Sequence, residues 1–186
     1  MPERLTREQS RRRTRTSILD AAEDAFASRG YRASSLDDIA VAAGFTKGAV
    51  YSNFSSKADL FLALLDRRAE RERTQLTTAG PTPTADPAWS LATLDFLVDA
   101  VGDEPTRRAL ADRYAHARSQ TAGQVSGGRP DPDWGTWEEV ASVAMALGTG
   151  LIIQAIIDPE AVAGDLFGRT MGALLRPTGD AGEPRS

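Results

Sequence analysis

The residues best suited to chemistry lie between Thr46 and Lys57. Thr46, Lys47, Tyr51, Ser52 and Asn53 bring hydroxyls, a phenol, a carboxamide and one cation into two helical turns. Val50 and Phe54, at i and i+4, fall on the other side and face inward. A short exposed helix carrying such groups suits hydrogen bonding to base edges in the major groove of DNA. Covalent or metal chemistry is poorly supplied. The chain has no cysteine and one histidine, His116. That excludes a thiolate or multi-His metal site, and no Ser-His-Asp set is found. No phosphate loop is present, so neither an enzyme nor a cofactor is expected.

The flanking elements must hold that helix out. Thr46 is a good N-cap for a helix expected over Lys47–Asn53. Ahead of it, Ile39, Ala40 and Ala43 share one face of another short helix, and Gly44 ends it by entering the left-handed region. Phe45 plugs the turn. Ser35 sits as N-cap of that first helix, with Asp38 three residues on as a capping partner. Two readings stand for Ser35: capping alone, or capping plus a phosphate on the free N–H groups at the helix start. Ser55 or Ser56 caps a further helix. Lys57 stands in its first turn, where the dipole disfavours a cation. A DNA phosphate would account for it.

Upstream, Arg11, Arg12, Arg13 and Arg15 begin the first helix or lie just ahead of it, after a polar start expected to be loose. They read either as a solvated charged end or as contacts to phosphate or minor groove. Ile18, Leu19, Ala22, Ala25 and Phe26 form the helix's apolar stripe, and Gly30 ends it. The contact reading is favoured because the cluster abuts the helix-turn-helix. Residues 1–57 hold 10 Lys+Arg and 7 Asp+Glu, against 12 and 19 in residues 58–186, so a net of +3 faces −7 within a total of −4. A basic head on an acidic body meets a polyanion with its head.

The rest of the chain reads as helices. Leu60, Phe61, Leu64 and Leu65 face inward, before a charged run from Arg67 to Arg73 that suits a solvated face with i, i+4 pairs. Thr77–Pro87 is a Pro/Gly/Thr-rich linker. Asp86-Pro87 caps a helix expected over Trp89–Val101, and Glu104-Pro105 opens another over Thr106–Gln124. Gly127–Pro132 is a loop, with Trp134 and Trp137 leading into an apolar helix, Glu138–Ile157. Its uncharged stretch is at the lower edge of what spans a membrane, but Ser142, Thr149, Gln154 and two glycines favour a buried helix of a soluble bundle. Asp158-Pro159 opens a last helix over Glu160–Leu175, burying Val162, Leu166, Phe167, Met171 and Leu174. Nothing reads as a strand, and no secretory signal is visible. The fold class is all-α. Residues 1–13 form a basic arm, 14–60 a three-helix head with a helix-turn-helix, 61–176 a helical body, and 177–186 a loose tail.

Several spaced residues together resemble the TetR (tetracycline-repressor-type) family of transcriptional regulators. They are Ile18–Ala22, Phe26, Gly30-Tyr31, Ser34–Leu36, Ile39-Ala40, Ala43–Gly48, Tyr51, Phe54, Lys57 and Leu60-Phe61. The resemblance covers roughly residues 14–66. It implies a cytoplasmic regulator that binds a double-stranded DNA operator, most simply a repressor released by a small-molecule effector. On that basis Thr46 and Lys47 are the expected base readers, and Gly48 lets the helix start approach the sugar-phosphate. Tyr51, Ser52 and Lys57 are expected at phosphates, with Arg13 and Ser35 beside them. Asn53 could pair with adenine, although the family places that position nearer the backbone. The helix from Lys57 would link head and body, its tilt carrying the signal.

The body would dimerise through its last two helices, which are too apolar for one chain to cover. The interface expected is Val140, Ala144, Leu147, Gly148, Leu151, Ile152, Phe167 and Met171, with small residues at i, i+4 allowing close approach. Trp89, Phe96, Tyr114, Trp134, Trp137 and Met145 are candidates for lining an apolar effector pocket; ordinary core packing is the alternative. Two helices between the linker and the Gly127 loop, where the family commonly has three, set inducer control on weaker ground than DNA binding.

Overall fold

Thr6 starts the first helix. Its hydroxyl accepts from Gln9 N at 3.2 Å, and the Gln9 side chain accepts from Thr6 N at 2.8 Å, a reciprocal capping box. Helix α1 therefore runs Arg7–Ala33 and takes in most of the stretch expected as a loose arm. An Arg12–Glu8 pair one turn apart supports its exposed start. The computed structural model describes residues 6–79 and 86–175, with the side chains of 6–71 and 86–175. The first five residues of the arm, residues 80–85 of the linker and the tail at 177–186 lie outside the described residues.

The described elements are all helical. After α1 come α2 (Leu36–Ala42), α3 (Lys47–Tyr51), α4 (Lys57–Ala79), α5 (Pro87–Val101), α6 (Glu104–Ser126), α7 (Trp137–Ile157) and α8 (Leu166–Leu174). The expected caps hold at Ser35, Thr46 and Asp86. Two elements are shorter than expected. α3 stops at Tyr51, because Ser52 and Asn53 turn their side chains back onto Ala49 O and close the helix. The last helix begins at Leu166 rather than Glu160. Asp158 serves as C-cap of α7, and the turn at Pro159 closes once, Ala161 N onto Asp158 O at 3.2 Å. Gly164, a poor helix former, lies before the chain turns helical again.

The described residues divide into two compact units, one within Met1–Thr78 and Ala85–Ala115, the other within Ala79–Thr84 and His116–Ser186. In the first, α1 to α4 bury Ile18, Ala22, Phe26, Ile39, Val50, Phe54, Leu60, Phe61 and Leu64. The core extends past residue 60. α5 lies along α1, and the Phe61 ring stacks on Trp89 at 5.0 Å and on Phe96 at 4.4 Å. Tyr31 meets Phe61 edge-on at 5.2 Å and Phe96 at 5.0 Å. Such geometry is worth roughly 0.5–1.5 kcal/mol per pair beyond burial.

Gly30 explains how Tyr31 gets there. Its φ of 81° breaks the helix one turn early, a conformation cheap only for glycine. The break frees Arg32 N, which donates to Asp95 Oδ2 of α5 at 2.8 Å. Burial, aided by the charges of Asp99, Asp103 and Asp95, pushes the Tyr31 phenol up to about 12, so this ring stays neutral.

In the second unit, Thr136 and Glu139 form another capping box for α7. Trp137 Nε1 donates to the carbonyls of Arg129 and Pro130 at 3.1 and 2.9 Å, pinning the loop. Val140, Ala144 and Met171 are buried together, with Leu147 and Phe167 packed around them. α7 is long and apolar enough to cross a membrane by length and composition, yet little of it is buried inside one chain.

Candidate nucleic-acid interface

The helix-turn-helix is built as the residues require. Gly44 takes φ 73° between α2 and α3, and Phe45 N closes the turn onto Ala40 O at 2.9 Å. Val50 and Phe54 are fully buried, so α3 is anchored by its inner side. The other side is free. Thr46, Lys47, Gly48, Tyr51 and Ser52 are all exposed, Tyr51 by 53 %.

These groups are not equally available. Thr46 Oγ1 accepts from Ala49 N at 3.3 Å and keeps its proton to donate. A Cβ at Gly48 would meet only Thr46 Oγ1, at 3.9 Å. Nothing inside the chain requires glycine there, whereas close approach from outside would. Ser52 Oγ donates to Ala49 O at 2.9 Å, which uses its proton. Asn53 is half-buried; its amide donates to Ala49 O at 2.8 Å, and its Oδ1 is buried without a protein partner. The carboxamide therefore closes α3 and does not project as an adenine reader. Lys47 pairs with Asp37 of α2. That hydrogen bond, then the Asp37 charge, raises the lysine above its ordinary range, so it is firmly cationic.

Ser35 and Lys57 also have internal duties. Ser35 Oγ accepts from Asp38 N at 3.1 Å and donates to Asp38 Oδ2 at 2.7 Å. With Asp37 and Asp38 in the first turn of α2, these bonds establish Ser35 as the cap. Lys57 Nζ donates to Tyr31 O at 3.0 Å, Ser34 O at 3.2 Å and Arg32 O at 3.4 Å. It also lies 4.3 Å from the centre of the Tyr31 ring. The unfavourable dipole of α4 is thus offset by the carbonyls at the end of α1, which attract cations. A DNA phosphate is not needed to account for Lys57.

One contact was hidden in the arginine cluster. Arg15 Nη1 donates to Asn53 O at 2.8 Å, and its guanidinium sits 4.1 Å from the centre of the Phe54 ring. It braces the end of α3 against α1 across 38 residues of sequence. Helical periodicity says nothing about a partner so far along the chain. Arg11 and Arg13 remain exposed on the same helix.

Residues 18–64 match the family described as bacterial regulatory proteins, tetR family. The amino-terminal domain belongs to the tetR family. The chain is also similar to curated transcriptional regulators. The transcriptional regulator TtgR of Pseudomonas putida is 38 % identical over 107 residues, 56 % of this chain and 50 % of its own length. The transcriptional activator FasR of Mycolicibacterium smegmatis is 32 % identical over 112 residues, 60 % of this chain and 51 % of its own. The chain thus spans about half the length of the curated relatives it matches. Salmonella enterica GusR has the same fold at TM-score 0.68 and 20 % identity, covering 93 % of this chain and 97 % of its own. That likeness extends over both units but shows the fold alone.

The six aromatic and Met pocket candidates are not alike. Trp89 and Phe96 are spent in the aromatic core of the tetR head's unit. Tyr114 and Trp134 are exposed by 39 % and 62 %, and Trp137 is held by its loop. Met145 is half-buried on α7. Among the described residues, no group of three or more His, Asp or Glu is placed to hold a metal ion.

Proposed function

We propose that the chain is a homodimeric, DNA-binding transcriptional regulator of the cytoplasm, acting as a repressor and not as an enzyme. The observation that supports it most is the exposed face of α3. Thr46, Lys47, Gly48 and Tyr51 stand clear of a helix locked from behind by Val50, Phe54 and Arg15. Beside it, the exposed start of α1 carries Arg11 and Arg13 for backbone contacts. Relatives' names include a repressor of Brucella suis as well as the activator FasR. Repression is the simpler outcome for a protein that occupies a promoter.

Dimerisation is supported by α7. Its buried side, Val140, Ala144 and the flanking Gly148, packs within the protomer, where a Cβ at Gly148 would sit 3.6 Å from Phe167. The side left over is also apolar: Val143, Ala146, Gly150, Ile153 and Ile157, with Val143 exposed by 50 % and Ile157 by 78 %. A second copy covering that side would remove it from water, so the interface is shifted round the helix from the set centred on Leu147 and Gly148. The same cover, rather than lipid, accounts for the apolar length of α7. Release by an apolar effector is carried over from the family. With Trp89 and Phe96 committed to the core, control without an inducer is the competing reading.

Selection of duplexes from a random library by the purified chain tests the reading, with light scattering for its mass. A selected site with two half-sites bound by a dimer supports it. No enrichment of any duplex at low salt, or a monomer at working concentration, overturns it. A thermal-shift screen of apolar compounds, scored for release of the selected duplex, separates inducer control from its absence.

A further inference from the structure

The stretch from Ser34 to Ser56, which spans α2 and α3, holds one cation, Lys47, and two anions, Asp37 and Asp38. A surface meant to approach a polyanion is therefore net negative. Asp38 has a local purpose, since it is bonded to Ser35 on both its amide and its carboxylate. Asp37 does not cap; it pairs with Lys47 across ten residues of sequence. Both side chains stay open to solvent, by 66 % for Lys47 and 47 % for Asp37.

A lysine at the start of a reading helix has two possible targets. Its flexible stem lets it reach any nearby phosphate, which carries no sequence information. It can also donate to the O6 and N7 acceptors of guanine, which does. An ammonium has three donors. One is taken by Asp37, and two remain, as many as guanine presents acceptors. The carboxylate also restrains the lysine's stem and repels the phosphates flanking the groove.

We infer that Asp37 is a positioning residue: by holding Lys47 against α2 it aims the ammonium at a guanine edge and keeps it off the phosphate backbone. This rests on the DNA-reading role of α3 proposed above. The pair stays formed in the complex. Specificity then comes from making the wrong contact costly as well as the right one favourable.

The test uses the full chain, a duplex selected by the wild-type protein and a random-sequence duplex of equal length. Asp37→Asn is expected to tighten the random duplex about threefold to tenfold at low salt and steepen its salt slope by about one, as Lys47 swings to a phosphate. Preference for guanine at one position of each half-site should fall about tenfold, within the range of one base contact. Asp38→Asn removes the same charge in the same turn and should tighten both duplexes alike, leaving the preference intact. In a Lys47→Met background, Asp37→Asn should no longer change base preference. Equal tightening of both duplexes by Asp37→Asn, or an equal loss of preference in Asp38→Asn, overturns the inference. So does an Asp37→Asn effect on base preference that persists without Lys47. A wild-type chain that selects no duplex would instead remove the functional proposal itself.

Discussion

Lys57→Met separates a structural lysine from a DNA-binding one. Methionine keeps the apolar stem and removes only the ammonium. In the folded chain that ammonium serves three carbonyls, at Tyr31, Ser34 and Arg32, and the face of the Tyr31 ring. A hydrogen bond to a charged group contributes about 1.5–3 kcal/mol, and a cation over an aromatic face about 0.5–2 kcal/mol. The three carbonyls share one charge and the side chain is half-exposed, so the contributions do not sum. A loss of about 2–3 kcal/mol is expected. For a chain of this length that lowers the melting temperature by about 4–12 °C. Lys57→Arg should not restore it, because a planar guanidinium does not fit three acceptors grouped for an ammonium. The assays are thermal unfolding, and duplex binding over a range of salt at a temperature where the variant is folded. Parallel salt plots with a lowered melting temperature are the expected result. A slope shallower by about one unit, at unchanged melting temperature, would show that Lys57 meets a phosphate and would refute the reasoning.

Arg15→Ala should weaken the selected duplex about tenfold while changing the random-duplex salt slope by less than one unit, because the guanidinium braces Asn53 O and Phe54 rather than DNA; binding titrations at several salt concentrations check it. Tyr51→Phe, which removes one exposed hydroxyl, should weaken duplex binding about threefold to tenfold with unchanged melting temperature, as expected for one neutral hydrogen bond of about 1 kcal/mol. Glu23→Gln should destabilise the first unit by about 1–3 kcal/mol, between the exposed and buried limits for ion pairs, as seen by chemical unfolding. Burial alone would raise the Glu23 carboxyl, but hydrogen bonds from Arg68 and Arg67 and the charges of Arg67 and Arg71 outweigh it and hold it below its ordinary range. A lowered carboxyl stabilises the fold above its unfolded value and loses that contribution as pH falls through the folded one. The wild-type chain should therefore lose stability as pH falls below the ordinary carboxyl value of 4.5, and Glu23→Gln should flatten that part of the profile. Gly150→Leu should yield monomer by light scattering, whereas Gly148→Leu should chiefly lower the melting temperature through its clash with Phe167.

The helix-turn-helix was legible because its signals are local. Caps at Ser35 and Thr46, the left-handed Gly44 and the inward pair Val50 and Phe54 each act within one turn of the chain. What stayed illegible depends on partners remote in sequence. The carbonyls that engage Lys57 lie 23 to 26 residues upstream, beyond the reach of dipole reasoning on α4 alone. Polarity alone places Asn53 outward, but a short polar side chain at a helix end competes for the helix's own carbonyls; Ser52 is exposed as expected and still gives its proton to Ala49 O. Trp89 and Phe96 had the composition of a pocket. Only the kink at Gly30, which turns Tyr31 toward α5, shows why they are core. On α7 the small and apolar residues were legible, but an all-round apolar helix has no periodicity from which to choose a face.

The ties between α1 and α4 limit how any signal could reach DNA. Lys57 fastens the first turn of α4 to the end of α1. Arg67, Arg68 and Arg71 fasten its third and fourth turns to Glu23, with Arg67 also on Asp20 at 2.6 Å. The two attachments are 10 to 14 residues apart, about 15–21 Å along the helix. A rod fixed at two points so far apart cannot pivot against α1 without breaking one of them. Arg15 in turn fixes α3 to the same helix. Displacement of α4 must then carry α1 and α3 along, so the reading helix keeps its local shape while the whole head turns. In a dimer such a motion changes the distance between two reading helices, the quantity set by the spacing of half-sites. It follows that loosening the Glu23 cluster should uncouple α4 from the head and leave DNA affinity less responsive to any effector, even where the free protein still binds its site.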